Sequence, residues 1–310
     1  METDDPWARA LALLTPDAMA EFRRHPNLRP AIRRFAVSAY AFVVGQDEFG
    51  LWINQHDRRS RIAMTLAVLD ARDMGTTAGE LLRTCQQILD LNRGVVADFL
   101  DRAVASGDLA IESADVPWGD RRLSVQPPFH QRLRDGAGAF LGHLGDLIPE
   151  FADLVEALED PATLRSFLLT FGMISNFRPD LVGMGESPIA LFTQRVAGLG
   201  FLLYFLEHQA PDPDRTQLLE RVTVSRRRLA RDMLVSRMHV ARLLEAGEAA
   251  GALSLPSPDE IVFSPELSDL FETRMAAGLQ VVRAVCVAAR LDAPLDHGRL
   301  ARMDRTISLG

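Results

Sequence analysis

The sequence predicts a mainly α-helical fold with small β-wings, two tandem helix-turn-helix units in one chain, and three observations carry that prediction. The first is an internal repeat. Residues 92–111, NRGVVADFLDRAVASGDLAI, align without a gap with residues 236–255, SRMHVARLLEAGEAAGALSL. The two stretches share Arg93/Arg237, Val96/Val240, Ala97/Ala241, Leu100/Leu244, Ala105/Ala249, Gly107/Gly251 and Leu109/Leu253. The second is the pattern inside each copy: a polar capping residue (Asn92 or Ser236), apolar residues at helical spacing, a glycine suited to a left-handed stop, and a short apolar run. Each copy therefore reads as a helix of about four turns feeding a strand. The third is residues 112–134. They hold a polar turn with Pro117 and Gly119, a basic tip Asp120-Arg121-Arg122, an alternating strand 123–126 and a helix start at Pro127-Pro128.

The remaining elements follow in order. Residues 1–57 form an N-terminal helical segment rich in aromatics (Phe22, Phe35, Tyr40, Phe42, Phe49, Trp52), broken by Pro16, Pro26 and Pro30 before a longer helix near 30–44. The first unit spans 58–160. It opens with an amphipathic helix at 58–72 that stops at Gly75, and Thr77 then caps a support helix, with Glu80 completing a capping box. After the hairpin, a long helix follows in which Gly136, Gly138, Gly142 and Gly145 suit close helix-to-helix approach; they follow no strand and so do not read as a phosphate loop. The second unit spans 161–292. It has a helix at 162–175, a Gly/Pro-rich loop, a long apolar helix from about 188 to 208, and a second helix-turn-helix capped at Ser225. A shorter hairpin, PSPDEIVFSPEL, and a final helix at 265–291 complete it, and residues 293–310 read as a loose tail.

The order of recognition helix, glycine, strand and Asp-Arg wing tip resembles the MarR-type family of bacterial transcription regulators. The likeness covers about 58–134 and, less fully, about 214–265. It implies winged helix-turn-helix units that bind double-stranded DNA. It also implies that the segment before the winged helix packs in a dimer interface and borders an effector pocket, which the N-terminal aromatics either line or replace with plain core packing. Such proteins work as homodimers. Two units in one chain imply a pseudo-dimer, with further homodimerisation compatible. The second tip carries Asp259-Glu260 where the family has arginine.

Composition bounds the alternatives. The 310 residues suffice for two domains, and 47% apolar with 25% charged residues is the balance of a folded chain. No apolar run is long enough to span a bilayer, and the acidic start METDDPW lacks a signal-peptide pattern, so the expected location is the cytoplasm. Two distant cysteines, Cys85 and Cys286, read as inert buried thiols, and neither they nor His130 and His143 have metal-ligand spacing. The sequence contains no lysine, so lysine-dependent catalysis is excluded, and no cofactor fingerprint or nucleophile motif points to an enzyme.

The net charge of −8 repels phosphate at long range, so a nucleic-acid site has to be local. It is: residues 221–242 hold arginines at 221, 226, 227, 228, 231, 237 and 242 against the single acid Asp232. Arginine grips phosphate, and residues at the start of a recognition helix reach base edges. The candidate DNA-binding residues are therefore Arg226, Arg227, Arg228, Ser236, Arg237, His239 and Arg242 in the second unit. In the first they are Asn92, Arg93, Arg121 and Arg122, the last two suited to a narrow minor groove. The leading function is a sequence-specific transcription regulator whose effector, where there is one, is a small molecule or a regulatory protein. The alternative is a winged-helix module that binds protein and not DNA, favoured by the acidic balance and the acidic second tip.

Overall fold

The computed structural model describes residues 5–72, 74–112, 115–151, 153–177, 188–193, 195–209 and 216–289. The fold is mainly helical with two small antiparallel sheets. The expected loose tail, the residues just before Thr216 and nearly all of the Gly/Pro-rich loop lie outside the described residues.

The N-terminal segment forms α1 (Pro6–Ala12), α2 (Pro16–Arg23), α3 (Leu28–Val44) and α4 (Glu48–Asn54). Proline stands at the first helical turn of α1 and α2, where its missing N–H costs nothing. Next come α5 (Asp57–Ala71), α6 (Ala78–Leu89) and α7 (Arg93–Ala105), then the hairpin β1 (Leu109–Ile111) and β2 (Leu123–Val125). Thr77 caps α6 as expected, its Oγ1 accepting from the Glu80 N–H at 3.2 Å. The Glu80 carboxylate lies toward Arg72, 3.7 Å away. Helix α8 (Pro127–Leu141) follows and is shorter than expected, with Gly142 its C-cap and Gly145 beyond it; a Cβ on Gly136 would touch Phe42, and one on Gly138 would touch Val155 of α9 (Leu154–Ala157).

Beyond α10 (Pro161–Phe177) the expected single helix at 188–208 is two pieces, α11 (Ala190–Thr193) and α12 (Gly198–His208). Ala197 takes a left-handed φ of 59° between them and donates its N–H to the Gln55 carbonyl. Gly198 then passes so close to α11 that a Cβ there would stand 1.4 Å from the Phe192 carbonyl oxygen. An apolar pattern cannot show such a break, because Ile189 and Phe192 before it and residues 201–206 after it are all buried.

The second half continues with a strand the sequence reading missed, β3 (Arg221–Thr223), then α13 (Arg226–Asp232), α14 (Arg237–Ala249), β4 (Leu253–Ser257), β5 (Glu260–Phe263) and α15 (Pro265–Ala289). The sheet order is β3-β5-β4, with β3 paired from Arg221 opposite Val262 to Thr223 opposite Glu260. Between Ser254 and Ser257 the register slips at Pro256, which has no N–H for the ladder. In the first half, the place of β3 is reduced to one bridge, Thr77 opposite Arg122.

The two halves share backbone detail at an offset of 144 residues. Asp90 and Leu234 are both left-handed in the turn between helices (φ 50° and 55°). Asn92 and Ser236 each cap through a side-chain oxygen accepting from the N–H three residues on. Gly107 and Gly251 are left-handed (φ 79° and 68°), and the next N–H donates five residues back, Asp108 to Ala103 and Ala252 to Gly247. Packing across the halves is reciprocal. Helix α3 lies on α12 and α8, while α10 lies on α5 and α15. The small helices also correspond: Phe49 of α4 packs on Phe99 of α7, and Phe192 of α11 meets α14 at Gly247.

The N-terminal aromatics sit in or against the core. Phe35 and Phe42 both pack on Phe140, Trp52 lies against Phe49 and Phe99, and Tyr40 meets Tyr204 edge-on. Among the described residues no helix is long and apolar enough to cross a membrane.

Candidate nucleic-acid interface

The second helix pair gathers the arginines. Ser225 caps α13 by accepting from the Arg228 N–H, and over the next two turns Arg227, Arg228 and Arg231 fall on one face, since residues three and four apart are neighbours on a helix. The left-handed turn at Leu234 then brings α14 round so that Arg237, its first residue, faces the same space. The result is a cleft of about 510 Å³ lined by Ser225, Ala230, Val235 and four arginines, Arg227, Arg228, Arg231 and Arg237. Arg227 and Arg237 are exposed and have no ion-pair partner among the described residues. At the rim, Leu234 is 56% and Met238 60% exposed, and Arg242 stands exposed one turn beyond Met238.

Asp232 organises the other two cleft arginines. Its Oδ1 accepts from Arg231 at 2.8 Å, and its Oδ2 from Arg228 at 3.3 Å and the Tyr204 hydroxyl at 3.1 Å. Its backbone carbonyl accepts from the Tyr40 hydroxyl at 3.0 Å. Burial works to raise the Asp232 carboxyl, yet the Arg231 and Tyr204 hydrogen bonds hold it below the ordinary carboxylate value. Burial, and then the Asp232 charge, push the Tyr40 hydroxyl up to about 12, so it stays a donor at neutral pH. The His208 ring stacks on Tyr204 at 3.8 Å. Its Nδ1 donates to the Tyr204 carbonyl, which leaves Nε2 to accept from Arg228 at 3.5 Å.

The structure sorts the sequence candidates. Arg227, Arg228 and Arg237 line the cleft, Ser236 caps α14, and Arg242 lies exposed on the same helix. Arg226 is half-buried with its Nε shielded from solvent, and so stands apart from the cleft. His239 also turns away from it. Its Nε2 donates to the Val196 carbonyl at 2.8 Å, and its ring stacks toward Phe201.

In the first half, Asn92 caps α7 and the Arg93 guanidinium lies 4.7 Å from the centre of the Trp118 ring. Arg121 and Arg122 stand at the base of the hairpin beside β2, not at its tip. Arg121 Nε donates to the Val116 carbonyl, and Arg122 pairs through its backbone with Thr77 and Glu112, its side chain exposed.

Three contributors were not among the sequence candidates, although Arg221 and Arg231 were counted in the arginine cluster. Arg231 was readable from its i+3 and i+4 spacing to Arg228 and Arg227. The strand holding Arg221 was readable from the alternation Arg-Val-Thr-Val, in which both valines are buried. Tyr40 carried no local signal, since its partner lies 192 residues away.

Both cysteines are buried and neither is in a disulfide, and burial pushes the Cys85 thiol up to about 12, so its thiolate is scarce at neutral pH. No group of three or more potential metal ligands converges among the described residues. The chain matches no protein-family model, no curated protein and no solved structure.

Proposed function

We propose that the chain is a sequence-specific DNA-binding transcription regulator, built as two non-identical winged helix-turn-helix units that pack as a pseudo-dimer. The observation that carries this reading is the arginine-lined cleft at the junction of α13 and α14. Four arginines lining an open cleft suit phosphate oxygens, and the first turn of α14 carries Arg237 and Met238 where a recognition helix meets base edges. Two further features support it. The strand–helix–helix–hairpin order with sheet order β3-β5-β4 is that of a winged helix, and reciprocal packing is what a twofold arrangement of two units requires.

Selection of binding sequences from a random duplex pool, followed by titration of the selected fragment at several salt concentrations, tests the reading. Five arginines (227, 228, 231, 237 and 242) set the scale. If they neutralise about five phosphates, affinity should fall on the order of 500-fold between 50 and 200 mM salt. No enrichment from the pool, or an affinity indifferent to salt, would overturn it. One observation favours the second reading, a protein-binding module: α7 exposes Asp98 and Asp101. Under that reading the folded chain selects no duplex at all.

A further inference from the structure

The repeat allows the two halves to be compared position by position, and at the cleft they differ. Counted from the caps Ser225 and Thr77, Arg227 corresponds to Gly79; at the 144-residue offset, Arg237 corresponds to Arg93. In the second half the hairpin turns at once, with only Pro258 and Asp259 between β4 and β5, and the ground before Arg227 and Arg237 stays open. In the first half, eleven residues separate β1 from β2, and part of that excess folds back as a helical turn at Trp118–Asp120.

The turn fills the space at Gly79 and lies beside Arg93, which stays exposed. Gly119 lies against Gly79 so closely that a Cβ there would stand 2.6 Å from the Gly119 carbonyl oxygen, and the Trp118 ring lies against Arg93. The hydrogen bond from Arg121 Nε to the Val116 carbonyl ties the turn down. Charge follows the same division. Residues 226–249 hold six arginines and three acids, a net +3, whereas residues 78–105 hold three arginines and four acids, a net −1. One of those three, Arg102, is paired with Asp98.

Resting on the DNA-binding reading above, we infer that the grip is one-sided. The second half alone holds a duplex half-site, and the first half has no DNA site of its own. Its part is to hold the reading head in place, with α3 packed on α12 and the Tyr40 hydroxyl bonded to the end of the arginine helix. One chain then covers one major-groove face, and two half-sites need two chains.

Hydroxyl-radical footprinting of the full chain on its selected fragment, with native mass spectrometry of the same complex, tests this. The expected result is one protected backbone cluster for each bound chain. Arg237→Glu should cost on the order of tenfold or more in affinity, while Arg93→Glu and Arg122→Glu each leave it within about twofold. Two clusters about ten base pairs apart with a single chain bound would overturn the inference. So would a loss on the order of tenfold for both first-half variants, each shown by circular dichroism to be folded. Failure of the wild-type chain to protect any duplex, by contrast, overturns the DNA-binding reading itself.

Discussion

Asp232 is the single acid within residues 221–242, and by charge alone it weakens the arginine cluster. Its geometry gives it another job: Arg228 and Arg231 are held by its carboxylate at one edge of the cleft, and Tyr40 and Tyr204 fix its position from the core. Tyr40→Phe should therefore lower stability by about 1 kcal/mol, the usual net worth of one hydrogen bond. It should also weaken DNA binding a few-fold without changing the salt dependence, because no phosphate contact is lost. Arg227→Ala should instead reduce the salt slope by about one. Titrations of both variants at several ionic strengths separate the two effects, and an unchanged Tyr40→Phe affinity would remove that tyrosine's positioning role. The depressed Asp232 carboxyl has a further consequence. A carboxyl lowered on folding stabilises the native state above its unfolded value, about 3.9, and that contribution is lost as pH falls through the lower folded value. Asp232→Asn should accordingly flatten the acid limb of stability below about pH 4 in urea titrations. His239 shows where residue-level reading stops. It stands third in a recognition-like helix, and only the break at Ala197, invisible in an apolar run, puts the Val196 carbonyl within its reach.

The helix pairs were legible because their signals are local: a capping side chain, apolar spacing and a glycine at φ near +70° each act within a few residues. The two strands of the first hairpin were legible too, but the packing of its turn was not. Its arginines read as a tip because sequence shows a polar turn but not that Gly119 has a glycine, Gly79, to pack against. The fastening of that hairpin to its neighbours was equally hidden. Asp108, fully buried just before β1, accepts from Arg132 of α8 at 2.6 Å, and Arg132 also bonds Asp47, the cap of α4. The arm to Asp47 is exposed and contributes little. The arm to Asp108 matters more, because Arg132→Ala leaves a buried carboxylate unpaired, at a cost of about 3–5 kcal/mol. Urea denaturation should show most of that loss recovered when Asp108→Leu is added to Arg132→Leu. A double variant as unstable as the single would mean that Arg132 acts through packing.

At the scale of the whole molecule, the repeat was visible in sequence but the way its copies embrace was not, because residues so far apart leave no local trace. The leading helices of each half are seated on the other. Helices α1, α2 and α3 pack on α15, with Arg29 bonded to the buried Glu272 and Arg23 to Asp269, while α10 packs on α5. Arg283 of α15 reaches back to Glu150, in the segment that joins the two halves. Neither half then encloses its own core: residues 1–143 alone would expose the faces of α3 and α5 that meet α12 and α10. The expected behaviour is a single cooperative unfolding of the intact chain. Fragments 1–143 and 144–310, expressed separately, should each lack a cooperative urea transition, and should recover helicity and duplex binding when mixed. A fragment 1–143 that unfolds cooperatively as a monomer would show that the crossed packing is dispensable. The two units would then be neighbours in sequence without being one folded body.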